Sequence, residues 1–310
     1  MTTLRRWISP VLTAAVLAVV VWRLGTGPFV SGLEAVDGRA LAAAAGIGFV
    51  TTVCGAWRWA IVARGIGLRL SLPAAVAAYY RALFLNLTLP TGIAGDVHRG
   101  IRHGRDAHDV GRGLRAVVWE RAAGQVVQLV LTIAVLSVLP SPVRSSMPYV
   151  ATAVVAAAVV LVLVGRRFPT IVAEIRKGVL RRHALPAIVL TTTVAVVGYA
   201  AMFLVAARTA GVGAPLVRLV PLALIALLAM VLPSVAGWGP REGATAWVFS
   251  AAGLGANAGA AAAVAYGVLM LFAFLPGAVV LLVGRLPHRR ARTSRPRGRT
   301  VFGAEGATDA

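Results

Sequence analysis

Three arginine–carboxylate groups stand inside otherwise apolar sequence. Asp96 has Arg99 three positions on, Glu120 is followed by Arg121, and Glu242 is preceded by Arg241. The other seven of the ten acidic residues, Glu34, Asp37, Asp106, Asp109, Glu174, Glu305 and Asp309, fall in polar stretches or the C-terminal tail. A charge near the middle of a bilayer costs about 2.5–3.5 kcal/mol even on lenient insertion scales. Such residues are therefore paired, turned toward a cavity, and available for binding. A guanidinium beside a carboxylate can exchange that partner for a phosphate. The competing reading is that long side chains at helix ends snorkel to the interface.

Two of the three groups lie at breaks of the same kind. Leu89-Pro90-Thr91-Gly92-Ile93-Ala94-Gly95-Asp96 interrupts one apolar run, and Leu232-Pro233-Ser234-Val235-Ala236-Gly237-Trp238-Gly239-Pro240-Arg241-Glu242 interrupts another. Paired Gly/Pro interruptions in the two halves of a membrane chain point to a binding site. Pro90, Gly92, Gly95, Pro233, Gly237 and Gly239 are the expected backbone elements of that site. The repeat is approximate, because arginine and carboxylate come in opposite order, so the breaks read as two sides of one cavity rather than as copies. Pro240 suits the first turn of a helix, which places Arg241 and Glu242 at a positive helix end that favours a phosphate. A glutamate there also stabilises the helix by itself.

Other polar residues add candidates. Arg58, between Trp57 and Trp59, reads either as an interfacial anchor or as a cavity residue. Asn86 and Thr88 either offer hydrogen bonds to a ligand or satisfy the interrupted backbone. His98, His103 and His108 recur every five residues, which does not align them on one helix face, and no metal site is expected. Cys54 is the single cysteine, so no internal disulfide forms. No Gly-x-Ser-x-Gly elbow or P-loop is present.

These residues must be positioned by membrane helices. The chain is 59% hydrophobic and 13% charged, with a mean hydropathy of +0.83, against about a quarter charged in soluble domains. The expected fold is all-α: a polytopic integral membrane bundle of about seven full spans plus two short or re-entrant helices. Runs near the 20 residues that cross hydrocarbon occupy 8–24, 39–63, 115–139, 147–165, 184–207, 216–232 and 257–283, with shorter segments at 73–89 and 240–254. Stretches 90–114 and 166–183 read as loops. Residues 1–284 form the membrane domain, and 285–310 a basic, disordered cytoplasmic tail. The run Gly253–Ala265 reads as a close helix-packing face.

The net charge of +21 sits in short loops beside the spans, as the positive-inside rule requires, so nucleic acid is not an expected partner. The rule places the N-terminus and the tail in the cytoplasm, with 25–38 outside. Two successive basic loops around 73–89 make that segment dip and return. The 233–254 region is expected to contribute one net crossing.

The pattern Asn86…Pro90-x-Gly92-x-x-Gly95-Asp96-x-x-Arg99, then Glu120-Arg121-x-x-Gly124, then Leu232-Pro233-Ser234…Gly237-Trp238-Gly239-x-Arg241-Glu242-Gly243 resembles the lysylphosphatidylglycerol synthase transmembrane (flippase-like) family. Arg58-Trp59 matches its early Arg-Trp pair; Ala94 and Ala122-Ala123 depart from it. The resemblance spans about residues 8–284. It implies a standalone bacterial membrane module, without the aminoacyltransferase domain and with no cofactor. The implied activity is translocation of a phospholipid or polyprenyl-phosphate lipid across the cytoplasmic membrane, not catalysis. Asn86, Asp96, Arg99, Glu120, Arg121, Arg241, Glu242 and Arg58 would bind the headgroup. The alternative is a membrane enzyme or subunit acting with a glycosyltransferase or aminoacyltransferase partner on lipid-linked substrates.

Overall fold

The computed structural model describes residues 36–89, 92–230 and 239–283, together with Gly27, Val30 and Glu34. The expected span 8–24, the tail 285–310, Pro90, and the Pro233 and Gly237 portion of the second break lie outside the described residues.

From Gly38 onward the described residues form eleven α-helices and one 3-10 turn. They are α1 (Gly38–Gly65), α2 (Leu72–Thr88), α3 (Ala94–Asp106), α4 (Val110–Val138), α5 (Met147–Gly165), α6 (Pro169–Gly178), α7 (Ala184–Thr209), α8 (Leu216–Ala229), α9 (Pro240–Ala251), α10 (Ala256–Phe274) and α11 (Pro276–Val283). Among the described residues α1, α4, α7 and α10 are long and apolar enough to cross a membrane. This is an all-α polytopic membrane bundle. Helix starts follow local chemistry. Asp37 Oδ1 accepts from Ala40 N at 2.8 Å at the head of α1, and Asp109 Oδ1 accepts from Arg112 N at 2.8 Å at the head of α4.

Four expected boundaries are corrected. Stretch 90–114 is not a loop: it holds α3 and the first turn of α4. Its helicity rests on packing rather than on an apolar run, since Gly113 lies so close to α3 that a Cβ there would stand 2.4 Å from Gly100 O. Stretch 166–183 holds α6, which Glu174 fastens to α4 by accepting from Arg115 Nε at 3.0 Å and Trp119 Nε1 at 3.2 Å. The run 257–283 is two helices, because Pro276 lacks the N–H that would continue α10. In the run 216–232 the helix α8 ends at Ala229, with Met230 as its cap, and 231–232 lie outside the described residues.

The chain doubles back at the first break. α3 returns along α2, with Gly95 against Ala82 and Asp96 beside Asn86, which makes a helical hairpin whose tip is the break. Elsewhere small residues let backbones approach: Gly48 faces Ala273, Gly198 faces Thr51, and Gly277 faces the Tyr80 carbonyl. Of the small-residue run Gly253–Ala265, only Gly259–Ala265 is buried and acts as a packing face; Gly253 and Gly255, where an added Cβ would meet nothing within 4 Å, lie in the exposed turn that precedes α10. Large residues fill the centre, where Phe203 of α7, Phe249 of α9 and Tyr266 of α10 meet ring to ring. A second core, around Trp59, Tyr79, Ala116 and Val117, joins α1, α2 and α4.

Candidate functional site

Four helices contribute to one ionic cluster beside the hairpin. Glu120 of α4 is fully buried and accepts from two arginines. Arg58 of α1 donates Nε at 2.9 Å and Nη2 at 2.5 Å to Oε1, and Arg99 of α3 donates Nη2 at 2.6 Å to Oε2. The Tyr79 hydroxyl of α2 adds a bond to Oε1 at 3.3 Å. Arg99 Nε also donates to Asp96 Oδ1 at 2.9 Å. Its guanidinium lies between the Trp59 ring (4.7 Å) and the Tyr79 ring (4.6 Å), a cation–π sandwich. Asp96 Oδ2 accepts from Arg121 Nη2 and from Asn86 Nδ2, the latter at 2.7 Å. Asn86 Oδ1 accepts from Gly95 N at 2.8 Å, which locks the hairpin tip.

The pairing of Glu120 with Arg121 expected from their adjacency is corrected. Neighbours on a helix are about 100° apart, so Glu120 turns toward α1 and α3 while Arg121 turns to Asp96. Arg58 is not an interfacial anchor: its side chain is only 11% exposed and its third bond, Nη1 to Thr192 Oγ1, is 3.1 Å. Three guanidiniums, Arg58, Arg99 and Arg121, stand against two carboxylates, Asp96 and Glu120, so the cluster carries one surplus positive charge.

That surplus faces a cavity of about 190 Å³, room for a few water molecules or a small polar group. Its polar lining includes Arg58, Arg121, Asn86, Gln125, Gln128 and Thr192; its apolar lining includes Leu83, Leu87, Leu227, Met230, Met270 and Phe274. Arg121 is 41% exposed along its side chain. Asp96, Arg99 and Glu120 are not among the described lining residues: Asp96 and Glu120 bond to Arg121 and Arg58, which are, and Arg99 bonds to those two carboxylates. Gly92, at φ +64°, lines the cavity at the hairpin tip, where most side chains would be strained. Gly124 leaves room for Arg58, whose guanidinium carbon would stand 3.1 Å from a Cβ there.

The described end of the second break is built differently. Gly239, at φ +110°, donates its N–H to Glu242 Oε2 at 2.7 Å, and Arg241 Nε donates to Glu242 Oε1 at 2.9 Å. Glu242 thus caps its own helix, the role that competed with ligand binding. Arg241 is buried and lies 5.3 Å from the Tyr266 ring, and Tyr266 lines the cavity. Among the described residues, Arg241 at the end of the second break thus contacts a ring that lines the cavity. Thr88 stays outside the site and returns a bond to Phe84 O at 2.8 Å.

Sequence reasoning missed Gln125 and Gln128. Their signal was available: with Arg121 and Gly124 they stand at i, i+3, i+4 and i+7, one face of α4. Thr51, Tyr79, Thr192 and Tyr199 also line the cavity but carried no distinguishing spacing.

No curated protein and no solved structure shows significant similarity to the chain. The family model described as the lysylphosphatidylglycerol synthase TM region matches residues 6–277 of the 310-residue sequence, and the chain belongs to that family, a multi-pass membrane module with a lipid-related role.

Proposed function

We propose that the protein is a lipid translocase that passes a phosphate-bearing headgroup through the cavity beside the α2–α3 hairpin. The observation that carries this reading is the mixed lining of the cavity. Arg58 and Arg121 bring guanidiniums to it, and Leu83, Leu87, Leu227, Met230, Met270 and Phe274 bring apolar surface. An amphiphile suits such a lining, with its phosphate on the arginines and its first methylenes on the apolar residues. Guanidinium forks take phosphate oxygens in bidentate fashion, and the surplus positive charge of the cluster favours an anion.

In this mechanism Arg58 and Arg121 hold the phosphate. Asp96 and Glu120 keep the two arginines aimed when the cavity is empty and release part of that bonding when a phosphate arrives. Arg99, clamped between Trp59 and Tyr79, keeps both carboxylates in place. Asn86 ties the hairpin tip to Asp96. Arg241 and Glu242 hold the second break against Tyr266. The acyl chains stay in the bilayer throughout.

The test is translocation of fluorescent phospholipid in vesicles that contain the purified chain, read by quenching of the outer leaflet. Arg121→Ala should reduce the rate at least tenfold, and Arg58→Ala, which also strips Glu120 of a partner, should reduce it at least as much. An Arg121→Ala variant that folds and moves lipid at the native rate would sink the assignment.

A further inference from the structure

We infer that the cavity selects an anionic lipid whose headgroup carries uncharged hydroxyls, and that it rejects headgroups bearing an ammonium. This rests on the proposed headgroup role of the same cavity and names its ligand class.

The argument begins with the carboxylates. An ammonium brought into a low-dielectric site beside two guanidiniums needs a carboxylate to offset the like charge, which neutral acceptors do not do. Of the ten acidic residues only Glu305 and Asp309, in the tail, lie outside the described residues. None of the other eight lines the cavity. Asp96 and Glu120, the nearest in bonding terms, are held by three arginines. The stretches 90–91 and 231–238, next in sequence to the lining residues Gly92 and Met230, contain no ionisable residue. The charged groups among the described lining residues are therefore Arg58 and Arg121, both positive. A lysyl headgroup, which the family description names, would meet like charge on both.

What the polar lining offers instead is neutral. Thr51, Asn86, Gln125, Gln128, Thr192 and Tyr199 supply amides and hydroxyls that both donate and accept. Gln125 and Gln128 share the α4 face with Arg121, so a phosphate held by Arg121 has amides one and two turns further along. A site built to bond hydroxyls discriminates sharply against groups that lack them. A glycerol or inositol phosphate headgroup satisfies both the guanidiniums and the neutral groups, and the apolar residues of the lining ask for a lipid rather than the soluble phosphate.

The experiment is a retention competition on the purified full chain in detergent. Equimolar phosphatidylglycerol, phosphatidylinositol, phosphatidylethanolamine and lysyl-phosphatidylglycerol are offered, and bound lipid is read by native mass spectrometry. Phosphatidylglycerol and phosphatidylinositol should be retained at least tenfold over the two ammonium lipids. Excess sn-glycerol 3-phosphate should not displace them. The double variant Gln125→Glu, Gln128→Glu should shift retention toward lysyl-phosphatidylglycerol by at least tenfold, and the native competition decides even if that variant does not fold. Equal or greater retention of the lysyl lipid by the native chain overturns the inference, as does retention of none of the four. Displacement by glycerol phosphate overturns the lipid half of it. Retention of the hydroxylated anionic lipids without their movement in vesicles removes translocation and leaves the ligand class standing. Movement of the lysyl lipid as fast as the others does the reverse.

Discussion

Arg58 and Glu120 lie sixty-two residues apart in the chain and meet inside the bundle, with two guanidinium nitrogens at 2.9 and 2.5 Å from one carboxylate oxygen. Glu120 is the hub of the cluster, since Arg99 and Tyr79 bond to the same carboxylate. It ties α1, α2 and α3 to α4 through one side chain. Charged hydrogen bonds gain strength in such low-dielectric surroundings, and each becomes costly to break singly.

Glu120→Gln should therefore be more damaging than its isosteric shape suggests. It removes the charge that offsets Arg58 and the fully buried Arg99 side chain. Breaking one partner of a buried pair costs about 3–5 kcal/mol, to be read from denaturation in mixed micelles. A loss under about 1 kcal/mol would show that the cluster is solvated and that Glu120 is not its hub.

Three glycine-to-alanine changes should separate by what each new Cβ meets. At Gly95 it would stand 2.0 Å from the Ala82 carbonyl oxygen, backbone that cannot yield, so Gly95→Ala should prevent the hairpin from closing and the chain from accumulating. At Gly124 it meets the end of the flexible Arg58 side chain at 3.1 Å, so Gly124→Ala should fold and lose transport more than stability. At Gly46, within α1, nothing lies within 4 Å, and Gly46→Ala should stabilise by about 0.5–1 kcal/mol through helix propensity. Expression level, midpoint of unfolding and transport rate measure the three; Gly95→Ala behaving like Gly46→Ala would contradict the close approach.

The long apolar runs were legible to within a few residues, 39–63 becoming Gly38–Gly65 and 184–207 becoming Ala184–Thr209. A continuous apolar stretch of that length has few other solutions. α3 was not legible, because its helix is rich in arginine, histidine and glycine and is held by contacts with α2 and α4 that local pattern does not reveal. Among site residues the charged ones stood out by type alone. Their pairing did not: Glu120 bonds to residues 62 and 21 positions away, not to its neighbour. Gln125 and Gln128 escaped because attention to charge passes over neutral amides in an apolar span.

α3 also sets a pH dependence, since His98 and His103 lie on this non-spanning helix. Burial, followed by the nearby positive charges of Arg81 and Arg102, holds His98 below its ordinary value of 6.5. Burial does the same to His103, partly offset by Asp106, and its ring meets Trp59 edge-on at 5.5 Å. A histidine depressed in the folded state takes up its proton less readily than in the unfolded chain. Stability is thus full above about pH 6.5 and falls as pH drops from there through the folded values. Unfolding midpoints from pH 7.5 to 5 should decline in the native chain, and the decline should be shallower in His98→Gln, His103→Gln. Identical slopes would remove the histidines from the explanation.

Tyr266 touches both Arg241 and the cavity, and its ring and its hydroxyl can be tested apart. The ring stacks against the Arg241 guanidinium at 5.3 Å and packs against Phe203 at 5.6 Å. The hydroxyl is buried without a hydrogen-bond partner among the described residues. Removing an unsatisfied buried hydroxyl is neutral or favourable, so Tyr266→Phe should keep native transport and equal or exceed native stability. Tyr266→Ala removes the ring and leaves a cavity in a packed core, a loss of about 3–5 kcal/mol by analogy with large aromatic truncations. It also removes the ring through which Arg241 contacts the cavity lining, so transport should fall in Tyr266→Ala even at a temperature where the variant stays folded. If Tyr266→Phe proves as inactive as Tyr266→Ala, the hydroxyl itself contacts the ligand, and the ring is not what links the second break to the site.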